Sequence, residues 1–406
     1  MRHLTLLVLF IGTLHAQQRV LFIGNSYTAA NNLPTMVATI ASSANQSLVC
    51  SQQTLGGATF YQHSQSNATY TKLASQNWDY VVLQAQSQEP SFPYSQFSWQ
   101  TLPYAIELVD SIRSLAPCAQ PVFFRTWGRE NGDQANCAVF PPLCTYEGMD
   151  SMLHRHYSLM ADTTDAYLSP VGTVWKHIRD TDSTINLYTS DGSHPSLAGT
   201  YAAACTFFTM ITRMDPNTIT DDQNLNPTVA AAIRQAAKDV VFDSLSTWNV
   251  GLYDTQAGFT ASMSNDTLTY TDTSLFADSV YYDFGDGNAS SMPNGIHAYS
   301  QDDFFTVTQY AFRCGKVDTT SMLIQSIVIF SVDEVAQPKI ELTKLDQFWP
   351  ANLHSLTLYS LSGKTLWSAQ QTKIPELPPS SSAMLILEAT WTNGLKTRQR
   401  YYHHGH

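Results

Sequence analysis

Two short polar clusters contain the residues whose types could support nucleophilic chemistry. In "VLFIGNSYT", an apolar run ends at a glycine turn and Ser26 follows at once. In "DGSHPSLAG", Asp191 stands three residues before His194. A serine hydroxyl is a weak nucleophile until a base takes its proton, and an imidazole oriented by a carboxylate is such a base. The two clusters therefore predict a Ser–His–Asp site, if the fold brings them together.

The surrounding pattern predicts how these clusters are positioned. Short apolar runs at 20–23, 80–84 and 121–125 read as strands, and stretches with helical spacing lie between them at 33–43 and 101–115. Strands that alternate with helices predict a parallel sheet covered on both faces. Active sites in such sheets lie beyond the C-terminal ends of the strands, which is where the first cluster stands.

With these clusters in place, residues 19–215 resemble the SGNH (GDSL-like) hydrolase superfamily. "IGNSYT" is similar to its first block, with Ser26 as nucleophile, and "DGSHPSLAG" to its last, with Asp191 and His194 completing the triad. Four further segments resemble a secreted branch: "LGGATFYQH", "WDYVVLQAQSQEP", "RTWG" and "SPVGTVW". The resemblance implies a flavodoxin-like three-layer α/β/α domain and an esterase or lipase. We expect no cofactor, and no metal site because no cysteines show paired metal-ligand spacing.

The same resemblance implies an oxyanion hole with three donors. The first is the backbone N–H of Ser26, and the second is that of Gly57, or of Gly56. The third is an asparagine side chain in the family, and here the sequence departs from the pattern. Aligning "VVLQAQS" with the family block places Gln86 at that position, and Gln84 is the rival because it falls on the same face of the strand. The alternative is that both amides only cap the strand end.

Five residues near these blocks are candidates for the substrate pocket: Asn25, Tyr27, His63, Gln84 and Trp127. Besides Gln84, three of them have a structural alternative. Asn25 can instead bond neighbouring loops, and His63 can be a core histidine with both nitrogens satisfied. Trp127 can belong to the core, although an aromatic near the strand ends of an exported hydrolase can also stack on a sugar ring.

Changes in composition and residue pattern divide the chain into four parts. Residues 1–16 read as a signal peptide, and 17–248 form the predicted hydrolase domain. Residues 249–335 resemble a PKD-type immunoglobulin-like module through "YDFGDG" and "HAY". Residues 336–406 resemble a C-terminal sorting domain of the type IX secretion route, without its usual "GxY" segment. We expect both C-terminal parts to be small all-β sandwiches.

Composition restricts the partners. The net charge is −12 with only 13% charged residues, which argues against a nucleic-acid ligand. No stretch after the signal peptide is long and apolar enough to cross a membrane. Export permits disulfides among the six cysteines, and Cys137 and Cys144 are close enough to close a small loop.

Three functions remain open at this point. The first is a secreted or cell-surface serine esterase that removes acyl groups from glycans, with a C-terminal domain engaging the secretion machinery. The second, within the same chemistry, is a hydrolase of lipid acyl esters. The third is a non-catalytic glycan-binding or adhesion protein on a degenerate hydrolase fold, which the altered third block would favour.

Overall fold

The computed structural model describes residues 17–327, 353–360, 364–369, 383–392 and 396–403. The predicted signal peptide, 1–16, lies outside the described residues. The chain divides into two compact units, one up to residue 328 and one from residue 329. Within the described residues, no helix is both long and apolar enough to cross a membrane.

A parallel five-stranded sheet forms the centre of the first unit. Its strands are β1 (Gln18–Gly24), β2 (Leu48–Thr54), β3 (Tyr80–Leu83), β4 (Gln120–Phe124) and β5 (Tyr167–Ser169). Their order across the sheet is β2-β1-β3-β4-β5. Strands β1 and β3 are nearly continuous apolar runs because both faces of a parallel sheet are covered. The sheet confirms the predicted α/β class.

Helices on the two sides of this sheet complete the three-layer domain. They are α1 (Ser26–Ala29), α2 (Leu33–Ser43), α3 (Phe60–Ser64), α4 (Asn67–Leu73), α5 (Tyr94–Gln100), α6 (Leu102–Leu115), α7 (Tyr146–Thr163), α8 (Val171–Thr181), α9 (Leu197–Thr212) and α10 (Pro227–Val240). Helices α2, α8 and α10 pack around α9, and helices α3, α5 and α7 pack against α6. Helix α9 is buried from Ala198 to Ile211, as its apolar sequence on all sides predicts.

Strand order also determines where a ligand site can form. From β1 the chain crosses to β2 on one side and then returns to β3 on the other. The C-terminal end of β1 is therefore a topological switch point, where parallel sheets open a crevice. Ser26 directly follows this end.

An antiparallel β-module follows the α/β domain within the same unit. Its strands are β6 (Phe259–Ser264), β7 (Thr267–Asp272), β8 (Ser279–Asp283), β9 (Ala289–Ser290), β10 (Asn294–Ala298), β11 (Phe304–Arg313) and β12 (Lys316–Gln325). They form two sheets, with orders β10-β7-β6 and β12-β11-β8-β9. Alternating residues such as Leu268, Tyr282 and Val307 fill its core.

Two disulfides are present among the described residues. Cys137–Cys144 confirms the predicted small loop. Cys118–Cys314, which the sequence did not single out, joins the start of β4 to the hairpin between β11 and β12. Cys50 and Cys205 are free thiols, and burial raises the pKa of each to about 12.

The second unit contains four further antiparallel strands. They are β13 (Leu353–Ser360), β14 (Thr365–Ala369), β15 (Ala383–Trp391) and β16 (Lys396–His403), in the order β14-β13-β15-β16. The all-β character predicted for both C-terminal parts is therefore confirmed within the described residues.

Candidate active site

The nucleophile candidate stands on a tight turn between β1 and α1. Gly24 is required there because a Cβ at this position would lie 2.7 Å from Oε1 of Gln84. Asn25 caps the helix by accepting the Tyr27 N–H through its side chain, at 3.1 Å. Ser26 is the first helical residue, so its own N–H has no partner within the helix. The turn thus presents both a hydroxyl and a backbone donor.

The structure brings Ser26, His194 and Asp191 together. Oγ of Ser26 lies 2.8 Å from Nε2 of His194, and Nδ1 of His194 lies 2.6 Å from Oδ2 of Asp191. Because the carboxylate only accepts, it places the ring proton on Nδ1 and leaves Nε2 free to accept the serine proton. This is the arrangement that acyl transfer needs.

The other oxygen of Asp191 is held by its own loop. Oδ1 accepts the N–H groups of Ser193 and His194, each at 2.9 Å, and the Thr189 hydroxyl at 2.9 Å. Desolvation raises the pKa of Asp191, but these bonds and the His194 ring outweigh it and hold the pKa well below its usual range. The carboxylate is therefore ionised at neutral pH.

Asn25 ties the turns at the ends of three strands to one another. Its side-chain N–H₂ donates to the carbonyls of Ala58, after β2, and Ala85, after β3, at 3.1 and 3.4 Å. Its backbone N–H donates to Oε1 of Gln84 at 2.9 Å. Asn25 is 2% exposed, so it supports the neighbouring turns from beneath the site.

The turn after β2 carries the glycines assigned to the oxyanion hole. Leu55 donates to the Gly24 carbonyl at 3.2 Å, which joins this turn to the nucleophile turn. Gly57 has φ +68°, a conformation that favours glycine, and the turn closes with the Ala58 N–H on the Leu55 carbonyl. Within the described residues, neither the Ser26 N–H nor the Gly57 N–H has an acceptor.

Gln84 and Gln86 occupy different environments. Gln84 is fully buried: its Oε1 accepts the Asn25 N–H and the Thr28 hydroxyl, and its Nε2 donates to the Ala85 carbonyl. Gln86 is half-buried, and its Oε1 accepts the N–H of Gln88 at 2.7 Å. Strand β3 ends at Leu83, so the alternation that placed both amides on one face does not extend to residue 86.

Tyr27 and Trp127 belong to a buried aromatic column that supports the His194 loop. Tyr27 stacks on Trp127 with ring centroids 4.9 Å apart, and Trp127 stacks on Trp175 at 3.7 Å. The Tyr27 hydroxyl bonds Oγ of Ser193 at 2.6 Å, and Trp127 Nε1 donates to the Ser193 carbonyl at 3.0 Å. Trp127 is 1% exposed, so its faces are not open to a sugar ring.

His63 lies behind the nucleophile turn. Its Nε2 is 3.0 Å from the Gly24 carbonyl, and its Nδ1 is 3.2 Å from Oγ1 of Thr69. Because a carbonyl only accepts, the ring proton is on Nε2 and the Thr69 hydroxyl donates to Nδ1. Burial lowers the pKa of His63 and keeps the ring neutral. This is the environment of a satisfied core histidine.

Sequence reasoning missed Ser193 and the buried pair Arg125–Asp150. Ser193 stands inside the quoted "DGSHPSLAG", but nothing local indicates that its two ends are held by Tyr27 and Trp127. Arg125 and Asp150 form an ion pair at 2.6 Å, and Oδ1 of Asp150 also accepts the Gly128 N–H. The pair therefore fixes the "RTWG" segment that carries Trp127.

The triad is open to solvent on its His–Asp side. The side chains of His194 and Asp191 are 40% and 49% exposed, whereas Ser26 is half-buried. A leaving group attached to an ester at Ser26 can therefore extend away over the surface of the protein.

The similarities to known proteins concern the fold alone. No protein-family model and no curated protein matches the chain. Its α/β part is similar to a DUF4886 family protein from Bacteroides uniformis, at 18% identity and TM-score 0.49, covering 57% of this chain and 95% of that one. A proposed SGNH hydrolase from Slackia heliotrinireducens is similar at 26% identity and TM-score 0.39, covering 47% and 97%.

The β-module is similar to the PKD1 domain of a Vibrio cholerae metalloprotease, at 23% identity and TM-score 0.18, covering 18% of this chain and 98% of that domain. All three TM-scores lie below 0.5.

Proposed function

We propose that this chain is an exported serine ester hydrolase that removes short acyl groups from glycans. The observation that carries the proposal is the continuous Ser26–His194–Asp191 arrangement, with 2.8 and 2.6 Å between successive side chains. It supports an acyl-enzyme mechanism because a nucleophile, its base and the group that orients the base stand in contact before substrate binds.

In the first half-reaction, Oγ of Ser26 attacks the ester carbonyl carbon while Nε2 of His194 takes the hydroxyl proton. The negative oxygen of the tetrahedral intermediate is received by the N–H groups of Ser26 and Gly57, and we propose Gln86 as the third donor. The intermediate collapses, the alcohol leaves with the proton from His194, and the acyl group stays on Ser26.

In the second half-reaction, water replaces the alcohol. His194 takes a proton from the water, the hydroxide oxygen bonds to the acyl carbon, and the same donors receive the oxyanion. Collapse breaks the bond to Oγ of Ser26, which recovers its proton from His194. The carboxylate of Asp191 offsets the imidazolium charge in both halves.

The open edge of the triad supports a bulky leaving group rather than a long acyl chain. Exposed His194 and Asp191 leave room for a polymer on the alcohol side, and this polar, solvent-open edge suits hydroxyl-rich substrates better than lipids. Two disulfides support an oxidising compartment, and hence export through residues 1–16. The remaining domain assignments, 249–335 as a PKD-like module and 336–406 as a sorting domain, are part of the same proposal.

Labelling with a serine-directed phosphonate tests the chemistry. The full mature chain should be labelled at Ser26, and Ser26→Ala should abolish both labelling and ester turnover. A panel of acetylated oligosaccharides and of short- and long-chain p-nitrophenyl esters then tests the substrate. Preference for long acyl chains would favour a lipid hydrolase, and a folded chain that is neither labelled nor active would favour the binding protein.

A further inference from the structure

A polar groove lies directly behind the catalytic loop, and none of the roles assigned above uses it. It has a volume of about 320 Å³, and its walls include Glu130, Arg179, Asn186 and Tyr188. Tyr188 precedes the triad loop and pairs with Pro195 just beyond it. Glu130 donates its N–H to the carbonyl of Gly192, between Asp191 and Ser193, at 2.8 Å. The groove and the triad thus share the same loop.

The groove contains charged groups that have no partners of their own. The Arg179 guanidinium lies over the ring of Tyr146, with Cζ 4.0 Å from its centroid and 5.4 Å from the centroid of Tyr188. Within residues 17–327, no carboxylate or other acceptor bonds this guanidinium. Glu130 is exposed, and its carboxylate likewise has no cation or donor there. Arg179 and Glu130 do not pair with each other.

The donor groups of this groove are held in place by contacts within the protein. Tyr188 donates its hydroxyl to the Gly128 carbonyl at 2.7 Å, which fixes the ring against which Arg179 lies. The side-chain oxygen of Asn186 accepts the Tyr188 N–H at 3.0 Å, and its carbonyl accepts the Ser196 hydroxyl at 2.7 Å. The amide N–H₂ of Asn186 remains free within the described residues. Arg179 and Asn186 thus offer unused donors on held side chains, which lose little entropy on binding.

We propose that this groove is a glycan subsite, which binds a sugar residue of the chain that carries the ester. Sugar hydroxyls need both donors and acceptors, and the groove offers guanidinium and amide N–H groups beside a carboxylate. Glu130 disfavours an anionic ligand, and the charged lining disfavours an acyl chain. The subsite rests on the proposed function and extends it: it selects substrates that are oligomers rather than single sugars.

The test compares kcat/KM for two esters of one sugar, an acetylated tetrasaccharide and the acetylated monosaccharide, in xylose and in mannose series. The full chain should prefer the tetrasaccharide by about tenfold or more in at least one series, since the subsite adds hydrogen bonds to charged groups. Arg179→Gln and Glu130→Gln should each reduce that ratio by about tenfold. The matched control is Arg155→Gln, which removes an exposed positive charge on α7 outside the groove and should leave the ratio unchanged.

Equal kcat/KM for the two esters in both series would overturn the subsite, as would a ratio that the groove variants do not alter. Thermal unfolding shows whether each variant is folded. Should Arg179→Gln fail to fold, the exposed Glu130→Gln decides alone. The two failures are distinguishable: a full chain that hydrolyses no ester contradicts the proposed function, whereas one that cleaves both esters equally contradicts only the subsite.

Discussion

Oγ of Ser26 and Nε2 of His194 lie 2.8 Å apart although 168 residues separate them in the chain. The sheet creates this contact, because Ser26 follows the first strand and His194 stands on the loop that enters α9. Asp191 and His194 lie on the same loop, so the contact between them is local and does not depend on the sheet. The base and its orienting carboxylate therefore form one local unit, and the serine must be delivered to it by the fold.

Replacing Asp191 with Asn tests that unit. The amide keeps the size of the side chain, but it no longer fixes the Nδ1 proton or offsets the imidazolium charge. We expect kcat for p-nitrophenyl acetate to fall by about 10⁴-fold. Asp180→Asn is the control, because Asp180 is an exposed carboxylate paired with Lys176 on α8. An Asp191→Asn variant that retains a tenth of the activity would remove Asp191 from the triad.

Tyr27 and Ser193 provide a test of how the loop is held. Tyr27→Phe removes only the hydroxyl that bonds Ser193, and Ser193→Ala removes only its partner. We expect each to lower kcat by about tenfold with little change in KM, since a lost hydrogen bond costs roughly 0.5–1.5 kcal/mol and His194 is the next residue. The double variant should be no worse than either single one.

Tyr70→Phe is the matched control for this cycle. Its hydroxyl donates to the Ser64 carbonyl at 2.6 Å, a bond of the same kind on α4. It should leave kcat unchanged. Additive effects of Tyr27→Phe and Ser193→Ala, or a change confined to KM, would instead place Tyr27 in the substrate pocket.

The disulfide Cys118–Cys314 should contribute stability rather than activity. It closes a loop with a sequence separation of 196 and joins the β-module to the α/β domain at the N-terminal edge of the sheet, opposite the triad. Changing both cysteines to Ser should lower the free energy of unfolding in urea by about 2–4 kcal/mol. The same change at Cys137 and Cys144, with a separation of only 7, should cost less. Loss of activity in the folded Cys118/Cys314 variant would mean that the module helps to build the site.

His63 predicts a pH dependence of stability. Burial lowers its pKa in the folded state below the ordinary value of about 6.5. Below that ordinary value the unfolded chain binds more protons, so stability that is fully present above about pH 6.5 is lost as pH falls towards the folded pKa. His63→Gln keeps a donor for the Gly24 carbonyl and cannot titrate. Its free energy of unfolding should fall less between pH 7.5 and 5.5 than that of the unchanged protein.

The same test can be made independently at His156, because burial also lowers the pKa of that residue. His156→Gln should flatten the same dependence, and the double variant should flatten it further. A pH dependence that neither change reduces would mean that other groups account for the acid sensitivity.

The sheet and the triad could be predicted from the sequence because both depend on patterns among residues that are close together in the chain. An apolar run ending at Gly24 predicts a strand end, and the spacing of Asp191 and His194 lies within one turn of chain. The supports of the site depend on distant contacts instead. Trp127 bonds Ser193 across 66 residues, and no periodicity links the two. The Gln84 side chain points into the core because Asn25 and Thr28 supply donors there. This orientation depends on tertiary packing, and the alternation of side chains along a strand does not predict it.

The third oxyanion donor is the remaining test of the site. Oε1 of Gln86 accepts the N–H groups of Gln88 and Glu89, at 2.7 and 3.1 Å, and its Nε2 donates to Gln88 at 3.2 Å. One amide hydrogen is left for a substrate, because a primary amide has two. Gln86→Glu keeps the accepting oxygen and hence the loop, but replaces the donor with a negative oxygen.

We expect Gln86→Glu to slow acylation by about 10²–10³-fold, the usual cost of one oxyanion donor, with little change in thermal unfolding. The rate of phosphonate labelling measures this step directly. Gln84→Glu is unsuitable as a control, because it would set a carboxylate against the buried Ala85 carbonyl. Gln76→Glu is suitable, since Gln76 is exposed in the turn before β3, at the edge of the sheet opposite Ser26, and the change adds the same charge there. Labelling of the Gln86 variant within twofold of the unchanged protein would leave the oxyanion with its two backbone donors, Ser26 and Gly57.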